Sequence, residues 1–176
     1  MQMNIPLLNG DASKTFIKML NLEASQLSLP ESKELMQGAL VAYAVCQAGA
    51  QAFSHSLIGS LIYGPASAAI LYGATLLLMR YLKEDAKFIK TLTALAAMGA
   101  LAALAYIILH ILFGIALPPP LPTDKLLRFL LFPIIIWTIF MYAFLFRHIS
   151  LRPIPAFAAA SFYVLVIEIV LSAIAR

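Results

Sequence analysis

The chain has 176 residues, of which 62% are hydrophobic and 11% are charged, and its formal net charge is +4. Soluble domains carry roughly 45–50% apolar and about 25% charged residues, so this chain has too little polar surface to cover a water-soluble globule. A short chain that spends its length on membrane helices has no room for a soluble catalytic domain. The basic residues form no patch interleaved with aromatics, which argues against nucleic acid as a partner. A single cysteine, Cys46, excludes a disulfide framework and a thiolate metal cluster.

Five apolar stretches fill most of the chain, and most are long enough to cross about 30 Å of hydrocarbon as helices. Lipid offers no partners to unpaired backbone groups, which leaves only helices and closed barrels as spanning structures. Because the stretches lack period-2 alternation, they favour helices. The sequence predicts an all-α integral membrane protein, with a bundle of about five transmembrane helices over residues 31–176 after a cytoplasmic tail over residues 1–30. The stretches are 33–54, 57–79, 89–117, 126–146 and 154–175.

The tail from Met1 to Pro30 has no continuous apolar core of the kind found in signal peptides, so the first spanning helix is expected to remain as the insertion signal. Within the tail, Phe16 and Ile17 begin an apolar pattern of nearly helical spacing, flanked by Lys14 and Lys18. This pattern predicts either a short interfacial helix on the cytoplasmic face or a partly ordered tail.

Two helix starts can be read from local chemistry. Ser28 and Glu31 have the spacing of a capping box before the first span. Pro153 and Pro155 suit the first turn of the last helix, where a missing N–H does little harm.

Lysines and arginines cluster at alternate helix ends, and their bias toward the cytoplasm sets orientation. A cytoplasmic N-terminus and an external C-terminus place nine basic residues inside and three outside. We therefore expect a multi-pass membrane protein whose two inner turns contact lipid headgroups or a cytoplasmic partner. The basic residues of these two turns are Arg80, Lys83, Lys87, Lys90, Arg147 and Arg152.

Ionisable residues within spans are costly and usually face a bundle interior or a wet cavity. His110 and Glu168 lie at similar predicted depths, and Gln47 falls near the same level. These three residues predict a polar layer. It would either bind a proton, an ion or a lipid headgroup, or fix helix register through interhelical hydrogen bonds.

Small residues recur every four positions and predict close helix packing. The partner helix would lie within the same protomer or in a second chain. The residues are Ser60, Gly64, Ala68, Gly73, Gly99 and Ala103.

Three stretches resemble bacterial members of the Yip family, the polytopic proteins named for Ypt-interacting protein. They are Leu-Pro-Glu-Ser-Lys at 29–33, Lys-Phe-Ile-Lys-Thr-Leu-Thr-Ala-Leu at 87–95 and Phe-Arg-His-Ile-Ser-Leu at 146–151. The resemblance implies a helical membrane module of about five spans, without a known catalytic mechanism or cofactor. It transfers no functional residue, and the short N-terminal tail does not support the small-GTPase association of eukaryotic relatives.

The chain contains no nucleophile elbow, zinc-protease helix, phosphate-binding loop or CxxC pair. We therefore expect a non-enzymatic structural or accessory subunit that binds membrane partners through its helix faces, without a metal or cofactor. The alternatives are a small transporter or channel component with a proton- or ion-linked polar site, and an intramembrane lipid-modifying enzyme.

Overall fold

The computed structural model describes residues 10–20, 25–53, 56–117 and 124–174, and the regular structure in these ranges is helical. Two 3₁₀ turns, Gln26–Ser28 and Asp85–Lys87, precede the second and fourth α-helices. The α-helices are α1 (Gly10–Leu20), α2 (Lys33–Gln51), α3 (Leu57–Leu82), α4 (Phe88–Ala116), α5 (Asp124–Arg147) and α6 (Pro153–Ile174).

The predicted all-α architecture is confirmed for the described residues, and three helical segments are long and apolar enough to cross a membrane. These segments are Ile58–Leu82, Asp85–Ala116 and Lys125–Arg147. The part of α6 from Pro153 to Ile167 is a shorter apolar helix.

The start of α2 differs from the prediction. Ser32, not Ser28, caps the helix, and its side chain accepts a hydrogen bond from the Leu35 amide at 3.2 Å. Proline disfavours a helical conformation in the residue before it, and Leu29 before Pro30 is extended with ψ 144°. Leu29 therefore lies outside the helix, and the capping box predicted at Ser28 is wrong.

The last helix begins where the sequence predicted. Pro153 is the first residue of α6, and Pro155 lies in the same turn. Both occupy positions whose backbone N–H groups have no partner inside the helix, so neither proline removes an intrahelical hydrogen bond.

Helices α2 and α4 run parallel. Tyr43 of α2 lies against Gly99 of α4, and Gly49 further along α2 lies against Ile107 further along α4. Helix α3 packs on α2 and α4, and α5 packs on α4 and α6. Short connections join α2 to α3 and α3 to α4, so direction alternates along the chain and one end of the bundle collects the start of α4 and the ends of α3 and α5.

Helix α4 forms the centre of this end. Six consecutive residues, Thr91 to Ala96, are buried. Because successive helical residues are about 100° apart, six buried in a row mean that protein surrounds α4 on every side at this level. Its other half differs: Ile108 is 56% exposed and Ile115 is 81% exposed. The bundle is thus densely packed at one end and open to its surroundings at the other.

The N-terminal segment packs against the densely packed end. Phe16 and Met19 of α1 belong to the main hydrophobic core, as does Leu29 beyond the first 3₁₀ turn. Gln26 is fully buried, and its Nε2 donates a 2.7 Å hydrogen bond to the carbonyl of Leu145. Leu145 lies in the last turn of α5, and its carbonyl also accepts a hydrogen bond from the His148 amide at 3.1 Å. Gln26 is therefore a second donor to the end of this helix.

Two of the glycines predicted to pack closely lie against a neighbouring helix. A Cβ added at Gly64 would collide with the Ala44 carbonyl oxygen of α2. At Gly99 it would lie 2.5 Å from Tyr142 Oη and 2.5 Å from Tyr43 Cε2. Three further predicted residues also pack: Ser60 and Ala103 are buried, and Ala68 contacts the core.

Among the described residues, no helix of the same chain packs closely against Gly73. A Cβ added there would meet nothing within 4 Å, so the open space beside this turn of α3 requires no small residue. The four-residue spacing alone could not separate this glycine from those in close helix contacts.

We expect Gly99→Ala to destabilise the protein by about 1–3 kcal/mol, the usual cost of overpacking a filled core. The measurement is thermal unfolding of the purified chain in mild detergent. Gly114→Ala is the matched control, because this second α4 glycine has open space around its Cβ position. A Gly99→Ala melting temperature equal to that of the Gly114→Ala control would contradict the close contact.

Candidate functional site at the basic end of the bundle

Three connections meet at the densely packed end: residues 25–32, 83–87 and 148–152. Helix α3 ends here with Lys83 in the left-handed conformation at φ 56°, and the following Glu84 amide donates to Met79 O at 3.0 Å. This hydrogen bond satisfies a carbonyl in the last turn of α3, and the left-handed residue turns the chain toward α4. We call this region, with its flanking lysines and arginines, the basic end.

Glu84 links two of these connections. Its Oε1 accepts a hydrogen bond from Ser150 Oγ at 2.9 Å, and its Oε2 lies 3.0 Å from Lys87 Nζ. Ser150 has φ 71°, which orients the turn after α5 toward the α3–α4 connection. One carboxylate therefore joins the two turns that the sequence assigned to the same side of the membrane.

The surroundings of Glu84 lower the pKa of its carboxyl group. Hydrogen bonding from Lys87 is the largest cause, followed by hydrogen bonding from Ser150. Both interactions favour the ionised carboxylate. Since this folded-state pKa lies below the unfolded one, the link contributes stability above the unfolded pKa and loses it as the pH falls through the folded pKa.

The six basic residues predicted for headgroup or partner contact all lie at this end, in two groups. Arg80, Lys83, Arg147 and Arg152 are exposed. The other two are bonded within the chain: Lys87 pairs with Glu84, and Lys90 Nζ donates to Leu27 O at 3.3 Å. The structure also adds Lys14, Lys18 and Lys33, which are exposed on α1 and at the start of α2.

Two members of the predicted polar layer lie at different levels. His110 stacks on Phe53, just beyond α2, with ring centroids 4.3 Å apart. Gln47 lies more than one turn before Phe53, about 9 Å along the axis at 1.5 Å per residue. Because α2 and α4 run parallel, Gln47 and His110 therefore lie at different levels. Glu168 is in the helical part of α6, and its side chain lies outside the described residues.

Sequence reasoning missed a cluster of buried tyrosines. Tyr43, Tyr63, Tyr142 and Tyr163 come from α2, α3, α5 and α6, one from each, and all are buried. Tyr142 donates to Leu95 O at 3.1 Å, next to the gap left by Gly99. The sequence did contain a signal for this cluster. Tyrosines of membrane proteins are enriched at the interfaces, so tyrosines inside apolar stretches indicate packing within the bundle.

Together, the fold and this end define an all-helical protein with three helices suited to crossing a membrane and a basic surface at one end of its bundle. Comparison of the chain with protein-family models, with curated proteins and with solved structures finds no match.

We expect acid to weaken the connection between the two turns. Glu84→Gln removes the carboxylate that Lys87 and Ser150 share, so this variant should melt below the parent near neutral pH and approach it as the pH is lowered. Melting curves in detergent between pH 3 and 8 measure the difference. Asp85→Asn is the control, because Asp85 is the exposed neighbouring acid in the same turn. A constant offset between Glu84→Gln and the parent across this range would contradict the assignment.

Proposed function

We propose that the chain is a non-enzymatic subunit of a bacterial inner membrane, where it binds membrane partners through its helix faces. The observation that carries the proposal is the contrast within α4. One half is enclosed by the other helices, and the other half, with Ile108 and Ile115, is exposed. Such a molecule is rigid at its densely packed end and exposes an apolar surface elsewhere, where lipid or the helices of another protein can bind.

The proposed topology has five spans. Three helices have the required length and apolarity. Helices α2 and α6 contain 19 and 22 residues, and at 1.5 Å per residue they rise about 28 and 33 Å, close to the thickness of the hydrocarbon core. The concentration of exposed arginines and lysines at one end supports a cytoplasmic N-terminus and an external C-terminus.

The hydrogen bonds of the interior hydroxyl groups support a structural role. Ser67 donates to Gly64 O and Thr75 to Leu71 O, each at 2.7 Å. A hydroxyl group that bonds to a carbonyl of its own helix leaves no unpaired donor where helices pack together. The resemblance to Yip-family proteins agrees with this role, because it implies a helical module without a known catalytic mechanism.

A transporter or channel component is the second candidate, and His110 is the observation that favours it. Its Nδ1 is buried without a hydrogen-bond partner among the described residues, in the more open half of the bundle. Ionisable side chains within membrane spans often mark substrate or ion pathways.

The topology predicts opposite labelling of the two ends. In a Cys46→Ala background, a cysteine at Ser56 should react with an impermeant maleimide from outside the cell, and one at Asp85 should react only after the membrane is opened. Both positions are exposed, and they lie at opposite ends of α3 and its connection. Reaction of Asp85→Cys in intact cells, with Ser56→Cys protected, would reverse the orientation.

The subunit proposal predicts a partner bound at a defined helix face. A photoreactive amino acid at Leu61, Phe129 or Phe162, each at least 65% exposed, should crosslink one stoichiometric protein from a single face. The same group at buried Leu95 is the control and should yield no intermolecular product. A chain that purifies alone in mild detergent and conducts protons in liposomes, with conduction lost in His110→Ala, would support the transporter and contradict the subunit.

A further inference from the structure

The outer side of α1 faces away from the bundle and carries an uncommon combination of residues. Phe16 and Met19 point into the core, with Met19 fully buried. Ile17 is 59% exposed, and Lys14 and Lys18 beside it are also exposed. An isolated amphipathic helix would use its apolar side to bind lipid, but here the protein already covers that side.

The position of α1 determines what its outer side meets. It contacts α4, and its last residue, Leu20, is joined to Ser25 by a connection that spans about 17 Å at most. Ser25 opens the segment that is fixed to the bundle by Gln26 and by the carbonyl of Leu27. Helix α1 thus lies at the basic end, beside the first turns of a helix that crosses the membrane.

We propose that α1 rests on the membrane surface, with Ile17 in the interfacial layer and Lys14 and Lys18 against anionic phospholipid headgroups. Anionic phospholipid is the partner that the charge of this end favours, because seven lysines and arginines are exposed there. Aliphatic residues between lysines suit the boundary between headgroups and acyl chains, where the ammonium groups reach outward. The proposal rests on the chain spanning a membrane and not on its role as a subunit. The exposed basic residues are Lys14, Lys18, Lys33, Arg80, Lys83, Arg147 and Arg152.

The core contacts of α1 give this surface a specific property. Basic interfacial helices usually fold when they bind lipid and lose conformational entropy in doing so. Here Phe16 and Met19 already order the helix, so binding does not include that loss. The outer face is therefore presented to the bilayer in a fixed orientation.

The test places an environment-sensitive fluorophore on Ile17→Cys in a Cys46→Ala chain reconstituted into nanodiscs. The discs contain phosphatidylcholine with either doxyl-labelled phosphatidylcholine or doxyl-labelled phosphatidylglycerol, spin-labelled near the headgroup. We expect strong quenching by the doxyl lipids, weak quenching by aqueous iodide, and preference for the phosphatidylglycerol probe. Glu31→Cys, exposed at the same end, is the control, and its label should be quenched strongly by aqueous iodide.

The charge requirement is tested separately. Lys14→Gln with Lys18→Gln should lower the phosphatidylglycerol preference at position 17 by about 30-fold, since each lysine near a membrane surface contributes about 1 kcal/mol and about 1.4 kcal/mol is a factor of ten. Lys125→Gln, exposed at the other end, should leave it unchanged. Melting curves show that each variant is folded.

Two results would overturn the proposal. Iodide quenching at position 17 equal to that at position 31 would place the outer side of α1 in water or on a soluble partner. Equal quenching by the two doxyl lipids would show that α1 contacts the bilayer without selecting anionic headgroups. A label at Leu61→Cys, exposed on α3, reports membrane insertion independently through a deeply placed doxyl group, so failure to insert is distinguished from failure of α1 to contact lipid.

Discussion

The contact of Tyr43 and Tyr142 with the bare backbone at Gly99 determines how the helices assemble. Two bulky side chains from α2 and α5 occupy the space of the missing Cβ, and Tyr142 reaches past it to bond Leu95 O. In a bilayer, the hydrophobic effect gives little preference for one helix neighbour over another. Close packing and interhelical hydrogen bonds must therefore determine which helices pair. This contact provides both, at the level where α4 is most enclosed.

Polar contacts outside the hydrocarbon reinforce that arrangement. Glu84 connects the two inner turns, and Gln26 connects the N-terminal segment to the end of α5. Each joins segments far apart in sequence at the end where α4 is already surrounded. The basic end is therefore rigid, and its exposed lysines and arginines have fixed positions relative to the helices of the bundle.

The fold class was predictable because a long apolar run in lipid has few structural options. Helix direction and the clustering of basic turns also followed from the alternation of helix ends along the chain. The separation of Gln47 from His110 was not predictable, because counting residues from presumed helix ends ignores the stagger between neighbouring helices. That stagger places His110 beside Phe53 and leaves Gln47 a turn or more away. Similarly, sequence spacing identified Gly64 and Gly99 as packing residues but gave no reason to exclude Gly73, since only the neighbouring helix decides whether a Cβ fits.

The unequal lengths of the two parallel helices have a consequence for the surrounding bilayer. Helix α4 has 29 residues and α2 has 19, so at 1.5 Å per residue they differ by about 15 Å in rise. A bilayer of uniform thickness cannot match both unless helices tilt or the lipid deforms, at a cost of about a fraction of a kcal/mol per Å of mismatch. In the proposed five-span topology, the side formed by α2 matches a thinner membrane than the side where the last turns of α4 emerge. The proposed five-span topology therefore implies that lipid deforms unevenly around the protein, more at α2 than at the far end of α4.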